Sequence, residues 1–339
     1  MLVLHHPATL DHCIIEILNG KVIPAYECPQ RISTILNTLE VEGRHELRDT
    51  SKNRQNGEIL SEEGPGQEGT WLSATTPVLT RRFIAESHDP GYVEYLKTIH
   101  HEWLSFLHTA ISSPREPKDI LALSRPPGHH CTTEMAGGYC YLNNSVLAVH
   151  ALRHFHATGP GHDSVGAPPK IAILDLDFHH GNGTQDYFYR DPSVLYVSLH
   201  GKDEYPYYTG FEDEKGDGPG KGSTWNFPLS VRTSAEVYIA TLRRAMGIIS
   251  ESKPTYLVVS LGFDTYRMDP LGSFAIDTED YETIARTVSS DLSLKGVPAV
   301  ILLEGGYVLE ALGQNVGSFL RGGRRAELKD SEVKKNQRQ

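Results

Sequence analysis

The chain has 339 residues, a net charge of −11 with histidine neutral, and 39% hydrophobic against 22% charged residues, the composition of a soluble globular protein. That length can bury a substantial core in one large α/β domain or two ordinary ones. The acidic balance excludes a general nucleic-acid binder, which needs a basic footprint, and suits a cationic substrate, while no apolar run is long enough to cross a bilayer.

Residues 1–13 carry no positive n-region, so the expected location is cytoplasmic, with the nucleus as the other compartment. Cys13, Cys28, Cys131 and Cys140 form no CxxC pair and read as free thiols. In chain order, a weak strand at 1–4 is followed by a helix at 30–40. Residues 48–76 are polar and glycine-rich and read as a surface loop or disordered insert. A helix at 90–107, a weak strand at 120–124, a helix at 138–155 and a surface connection at 158–169 come next. Four β-branched apolar runs then dominate: 170–177 (KIAILDLD), 193–200 (SVLYVSLH), 256–262 (YLVVSLG) and 298–304 (PAVILLE). Such runs, separated by helices at 235–252 and 280–294 and followed by one at 308–320, indicate parallel strands buried on both faces. The predicted fold is a single α/β domain over 1–322, with a mostly parallel central sheet flanked by helices, and a frayed basic tail at 323–339.

The chemistry-bearing residues fall where these strands end, the edge at which open α/β sheets bind ligands. Asp175, Asp177 and His179 alternate at the end of one run, so they can point the same way. Asp264 follows the run at 256–262. Two aspartates and one histidine suit zinc and leave a fourth position for water; the alternative for each is a turn-capping role. Arg125-Pro126-Pro127-Gly128-His129-His130 is a proline-constrained loop that can present two histidines inward, and histidine moves protons near neutral pH. Asp175 and Asn182 are candidates to orient the two imidazoles. Tyr307, after Glu304-Gly305-Gly306, can donate its hydroxyl to an oxyanion, or serve only as a packed tyrosine at a helix entry.

RPPGHH, GGYCYLNN (137–144), DLDFHHGNGT (175–184), SLGFDTYRMDPLG (260–272) and EGGY (304–307) together resemble the histone deacetylase superfamily, which has the arginase/deacetylase fold. The asparagine of HHGNG looks like the acetylpolyamine amidohydrolases and class II deacetylases. The stretch 18–24 with Glu27 and Arg31 looks most like the acetylpolyamine amidohydrolases. The resemblance implies a zinc-dependent amide hydrolase with zinc on Asp177, His179 and Asp264. It implies His130 as general base and acid oriented by Asn182, His129 as electrostatic support oriented by Asp175, and Tyr307 polarising the carbonyl. Gly138, Tyr139 and Tyr205 would wall a narrow tunnel, with Glu16 near its mouth. Potassium is implied near Asp175, Asp177, His179, Ser198 and the Leu199 carbonyl. The expected partner is a small acetylated amine such as an acetylpolyamine, alternatively an acetyl-lysine protein, with neither nucleic acid nor membrane involved and a homodimer left open. One departure from the family is the short interval 97–124 ahead of RPPGHH, which leaves a catalytically impaired binding protein as a further alternative.

Overall fold

The computed structural model describes residues 1–5, 7–10, 15–18, 21–49, 119–158, 168–290, 294 and 296–336. The predicted helix at 90–107, nearly all of the insert at 48–76 and most of the short interval at 97–124 lie outside them.

Eight strands form one open sheet: β1 (Leu2–His5), β4 (Glu46–Asp49), β5 (Ile120–Ala122), β6 (Ile171–Asp175), β7 (Val194–Gly201), β8 (Thr224–Leu229), β9 (Tyr256–Leu261) and β10 (Ala299–Leu303). Their order is β4-β1-β5-β10-β9-β6-β7-β8, and each pairing is parallel. The expected α/β architecture is therefore present. Parallel strands need crossovers, here α1 (Gln30–Glu42), α2 (Asn144–Thr158), α3 (Asn182–Phe188), α4 (Ala235–Ser252), α5 (Asp280–Ser289) and α6 (Leu309–Asn336).

Each central strand feeds two cores by alternation. Ala172 and Leu174 of β6, Leu257 and Val259 of β9 and Ile301 of β10 join Ile35, Leu242, Ile284 and Val316 on one face. Ile171, Ile173, Val258 and Val300 join Val146, Val149 and Phe188 on the other. Burial on both faces explains why these runs read as continuously apolar. No helix among the described residues is long and apolar enough to cross a membrane.

Several boundaries differ from the sequence expectation. Helix α2 begins at Asn144, not 138, because Gly138 (φ 53°) and Tyr139 (φ 66°) are left-handed and cannot continue a helix. Arg48 and Asp49 belong to β4 rather than to the insert; the strand is polar because it lies at the sheet's edge. Strand β8 escaped notice because Pro228 breaks its pattern, and proline is tolerated there because β8 is the other edge. The antiparallel pair β2 (Ile15–Leu18) and β3 (Lys21–Pro24) also went unpredicted, although Asn19-Gly20 between them is the usual two-residue hairpin signal. Helix α6 continues to Asn336, through the tail expected to fray, in a segment rich in the helix formers Arg, Ala, Glu, Leu and Lys.

Candidate metal centre and hydrolytic site

Strand β6 stops at Asp175, so Asp177 and His179 lie on the loop beyond it rather than on a shared strand face. Their convergence comes from turns. Asp175 Oδ1 accepts the Asp177 N–H at 3.2 Å, and Asp177 Oδ1 accepts the His179 N–H at 2.8 Å. Asp264, after β9, is fastened in turn: its Oδ1 accepts the Phe178 N–H at 2.9 Å. The result places His179 Nδ1 3.2 Å from Asp177 Oδ1 and 3.0 Å from Asp264 Oδ2.

One donor atom from each of Asp177, His179 and Asp264 lies within 4.8 Å of the others. Both carboxylates are buried, at 1% and 0% exposure. Burial and the adjacent Asp177 push Asp264 up to about 7. Against its own burial, Asp177 is held below the usual carboxylate range by His129 and His179. Two buried carboxylates this close need a positive partner, and two oxygens with one imidazole nitrogen are a donor set that suits zinc. Glycine keeps the space clear: a Cβ at Gly305 would lie 2.3 Å from Asp264 Oδ2, and one at Gly262 2.1 Å from Asp177 Oδ2. A second group, His129, Cys140 and Glu304, is equally compact. Burial, however, keeps the Cys140 thiol protonated, and Glu304 Oε2 already accepts the N–H groups of Gly128 and His129 at 2.6 and 3.3 Å.

The two histidines of the proline loop stand beside the first group. His129 Nδ1 meets Asp175 Oδ2 at 3.1 Å, while its Nε2 lies 3.7 Å from Asp177 Oδ1. Burial alone would lower its pKa, but Asp175, Asp177 and Glu304 outweigh that and raise it to about 10. His130 Nδ1 meets Asn182 Oδ1 at 2.8 Å. Burial first, and then the neighbouring His129 and His179, push His130 well below the ordinary value, so it is neutral near pH 7. One imidazole is charged and its neighbour, with ring centroids 4.0 Å apart, is a free base.

Tyr307 completes the ring of groups. Its N–H donates to Asp269 Oδ2 at 2.7 Å, and the preceding Gly306 carbonyl accepts from Arg31 Nε at 2.7 Å. Burial raises the phenol well above its ordinary value; Arg31 opposes this, and Asp264 and Asp177 add to it. Gly138 presses on His130, where a Cβ would lie 2.2 Å from Cδ2, and the Tyr205 ring stands edge-on to His130 at 4.7 Å. The Tyr139 ring is 5.8 Å from that of Tyr307, and its hydroxyl donates to Glu16 Oε1. Ser198 lies opposite Asp175 in the β6–β7 register, and its hydroxyl is 2.8 Å from His200 Nδ1; Leu199 follows it in the buried strand.

Most of the residues singled out in the sequence thus gather at the carboxyl ends of the strands and the loops that follow them, while Ser198 and Leu199 lie within β7 and Glu16 lies on β2, joined to the rest through Tyr139. Sequence reasoning gave no role to Arg31, Arg125 and Asp269, buried charges that bond to Gly306, Thr9 and Tyr307 respectively, each on a different element of the chain. The charge itself, flanked by apolar or proline-rich sequence, was the available signal.

An open parallel sheet with a buried Asp-His-Asp donor set, a charged and a neutral histidine and a tyrosine at its strand ends defines an α/β protein with a candidate metal and proton-transfer site at the ligand edge of its sheet. Residues 104–322 match the histone deacetylase domain model. The chain is 32% identical to an acetylpolyamine amidohydrolase of Mycoplana ramosa over 338 residues, covering 91% of this chain and 94% of that protein. It is 42% identical to acetylpolyamine amidohydrolase 1 of Pseudomonas aeruginosa over 211 residues, covering 60% of this chain and 56% of that relative. A solved acetylpolyamine aminohydrolase from Burkholderia pseudomallei superposes with a TM-score of 0.73 at 27% identity, covering 95% of this chain and 98% of that one. The chain belongs to the histone deacetylase family, in the company of acetylpolyamine amidohydrolases.

Proposed function

We propose that this protein is a zinc-dependent deacetylase that hydrolyses the N-acetyl amides of small amines such as acetylpolyamines, releasing acetate and the free amine. The observation that carries the reading is the convergence of Asp177, His179 and Asp264 beside a neutral His130. Bound there, zinc would lower the pKa of a water to about 7 and polarise the acetyl carbonyl.

The chain's own residues supply the rest. His130, neutral and held through Nδ1 by Asn182, takes the proton of the attacking water at Nε2 and returns it to the leaving amine nitrogen. His129, charged and paired with Asp175, steadies the negative charge that develops beside it. Tyr307 donates its hydroxyl to the acetyl oxygen as that atom becomes an oxyanion. Gly138 and Tyr205, both against His130, together with Tyr139 would wall a narrow tunnel for a linear amine. Glu16, held by Tyr139, offers a carboxylate to a substrate ammonium. Potassium near Asp175, Asp177, His179, Ser198 and Leu199 belongs to the same proposal, as does a cytoplasmic location.

Small amines are favoured over acetyl-lysine proteins by Glu16, by the overall charge of −11 and by the company of relatives named for acetylpolyamines. Zinc-loaded protein assayed on acetylputrescine and on an acetyl-lysine peptide decides the matter. Faster turnover of acetylputrescine is expected; preference for the peptide reverses the substrate assignment, and no turnover of either sinks the enzymatic one.

A further inference from the structure

Two loops carry the groups that would meet the substrate: 125–130 with both histidines, and 304–307 with Tyr307. Neither lies in a helix or a strand; they leave the paired strands β5 and β10 and are bonded to each other where Glu304 Oε2 accepts from Gly128 and His129, so any further setting of their separation must come from contacts at their roots. Glu27, just ahead of α1, sits where it can reach the root of each. Its Oε1 lies 2.8 Å from Arg125 Nε and 3.2 Å from an Arg31 terminal nitrogen. Arg125 opens the histidine loop, and its guanidinium also donates to the Thr9 carbonyl. Arg31 grips the tyrosine loop: Nε donates to the Gly306 carbonyl at 2.7 Å and a terminal nitrogen to the Glu304 carbonyl, with the guanidinium 4.9 Å from the Tyr307 ring centroid.

Glu27, Arg31 and Arg125 are each 0% exposed. Buried charges persist only when paired, and two guanidiniums on one carboxylate oxygen repel each other as soon as that oxygen loses its charge. Without the carboxylate their mutual repulsion goes uncompensated; Arg31 is bonded to the backbone of the tyrosine loop, and Arg125 is itself the first residue of the histidine loop.

We propose that Glu27 is a positioning residue for deacetylation, acting through Arg31 and Arg125 to hold Tyr307 and the His129–His130 pair at their working separation. This rests on the function proposed above. Turnover of acetylputrescine by the zinc-loaded parent is therefore measured first, and its absence would count against that function rather than against the role of Glu27. With an active parent, Glu27→Gln, which keeps the shape and removes the charge, should lower kcat by about tenfold to a hundredfold, since misplacement of roughly 1 Å costs on that order. KM and zinc affinity, the latter read by chelator competition, should stay within about threefold, because Glu27 contacts neither substrate nor donor set.

The decisive measurement is the cycle with Tyr307→Phe. Once the hydroxyl being positioned is gone, the penalty of Glu27→Gln should shrink by at least about threefold. A role confined to folding predicts the same penalty in both backgrounds. That result overturns the proposal, and so does a kcat for Glu27→Gln within about threefold of the parent. Should Glu27→Gln not fold, Glu27→Asp, which keeps the charge but withdraws it by one methylene, is carried through the same cycle, with equal penalties again overturning the assignment.

Discussion

Asn182 Oδ1 sits 2.8 Å from His130 Nδ1, while its Nδ2 donates to the Tyr208 hydroxyl at 3.0 Å and to the His130 carbonyl at 3.4 Å. With the amide nitrogen engaged elsewhere, the oxygen faces the ring and can only accept, so Nδ1 carries the proton and Nε2 is the free base. An amide holds the tautomer without adding a negative charge. Asn182→Asp would add one and favour the imidazolium. The base is active only when neutral, so the acid limb of the kcat/KM profile should move to higher pH by about one unit or more. An unmoved limb would deny His130 the role of base.

Tyr307→Phe removes a hydroxyl while leaving the ring against Tyr139 and the backbone N–H on Asp269. Loss of one oxyanion donor costs roughly a hundredfold to a thousandfold in kcat. Zinc content and melting temperature should match the parent. Nearly full activity in the variant would contradict the assignment.

Asp264→Asn keeps an oxygen for the Phe178 N–H but surrenders one of the two buried negative charges. Metal content measured by mass spectrometry should fall well below one zinc per chain after mild chelation, and turnover should fall with it. Full retention of zinc would show that Asp264 is not a ligand.

Glu304 gives a pH prediction that needs no metal. Burial raises its carboxyl from an ordinary 4.5 to about 7, opposed by His129 and the Gly128 N–H. The folded protein therefore binds this proton more tightly than the unfolded chain does. Its contribution to stability is fully present below about 4.5 and is lost as the pH rises through about 7. Glu304→Gln does not titrate and can still accept from Gly128. In zinc-free protein, the melting temperature of the parent should drop relative to the variant between about pH 5 and pH 8. Parallel melting curves across that window would mean that Glu304 titrates normally.

Much of this was legible in the chain. The runs at 170–177 and 256–262 announced buried parallel strands because double-sided burial demands apolar residues at every position, and their polar termini announced the ligand edge. What hid were elements whose sequence obeys a local rule other than the one being read. The polar edge strand β4, the proline-bearing β8 and the Gly138–Tyr139 turn at the head of α2 are examples.

By itself the sequence determined the strand-helix alternation, the donor types at the strand ends and the paired histidines on a rigid loop, since these depend on neighbours only a few residues apart. Only the tertiary structure decided that Asp264 and His179 lie 3.0 Å apart, that one histidine is charged while its neighbour is neutral, and that Glu27 joins Arg125 of the histidine loop to Arg31, which bonds the tyrosine loop. Those outcomes depend on burial and on charges brought together from distant parts of the chain, quantities that exist only once the sheet has assembled.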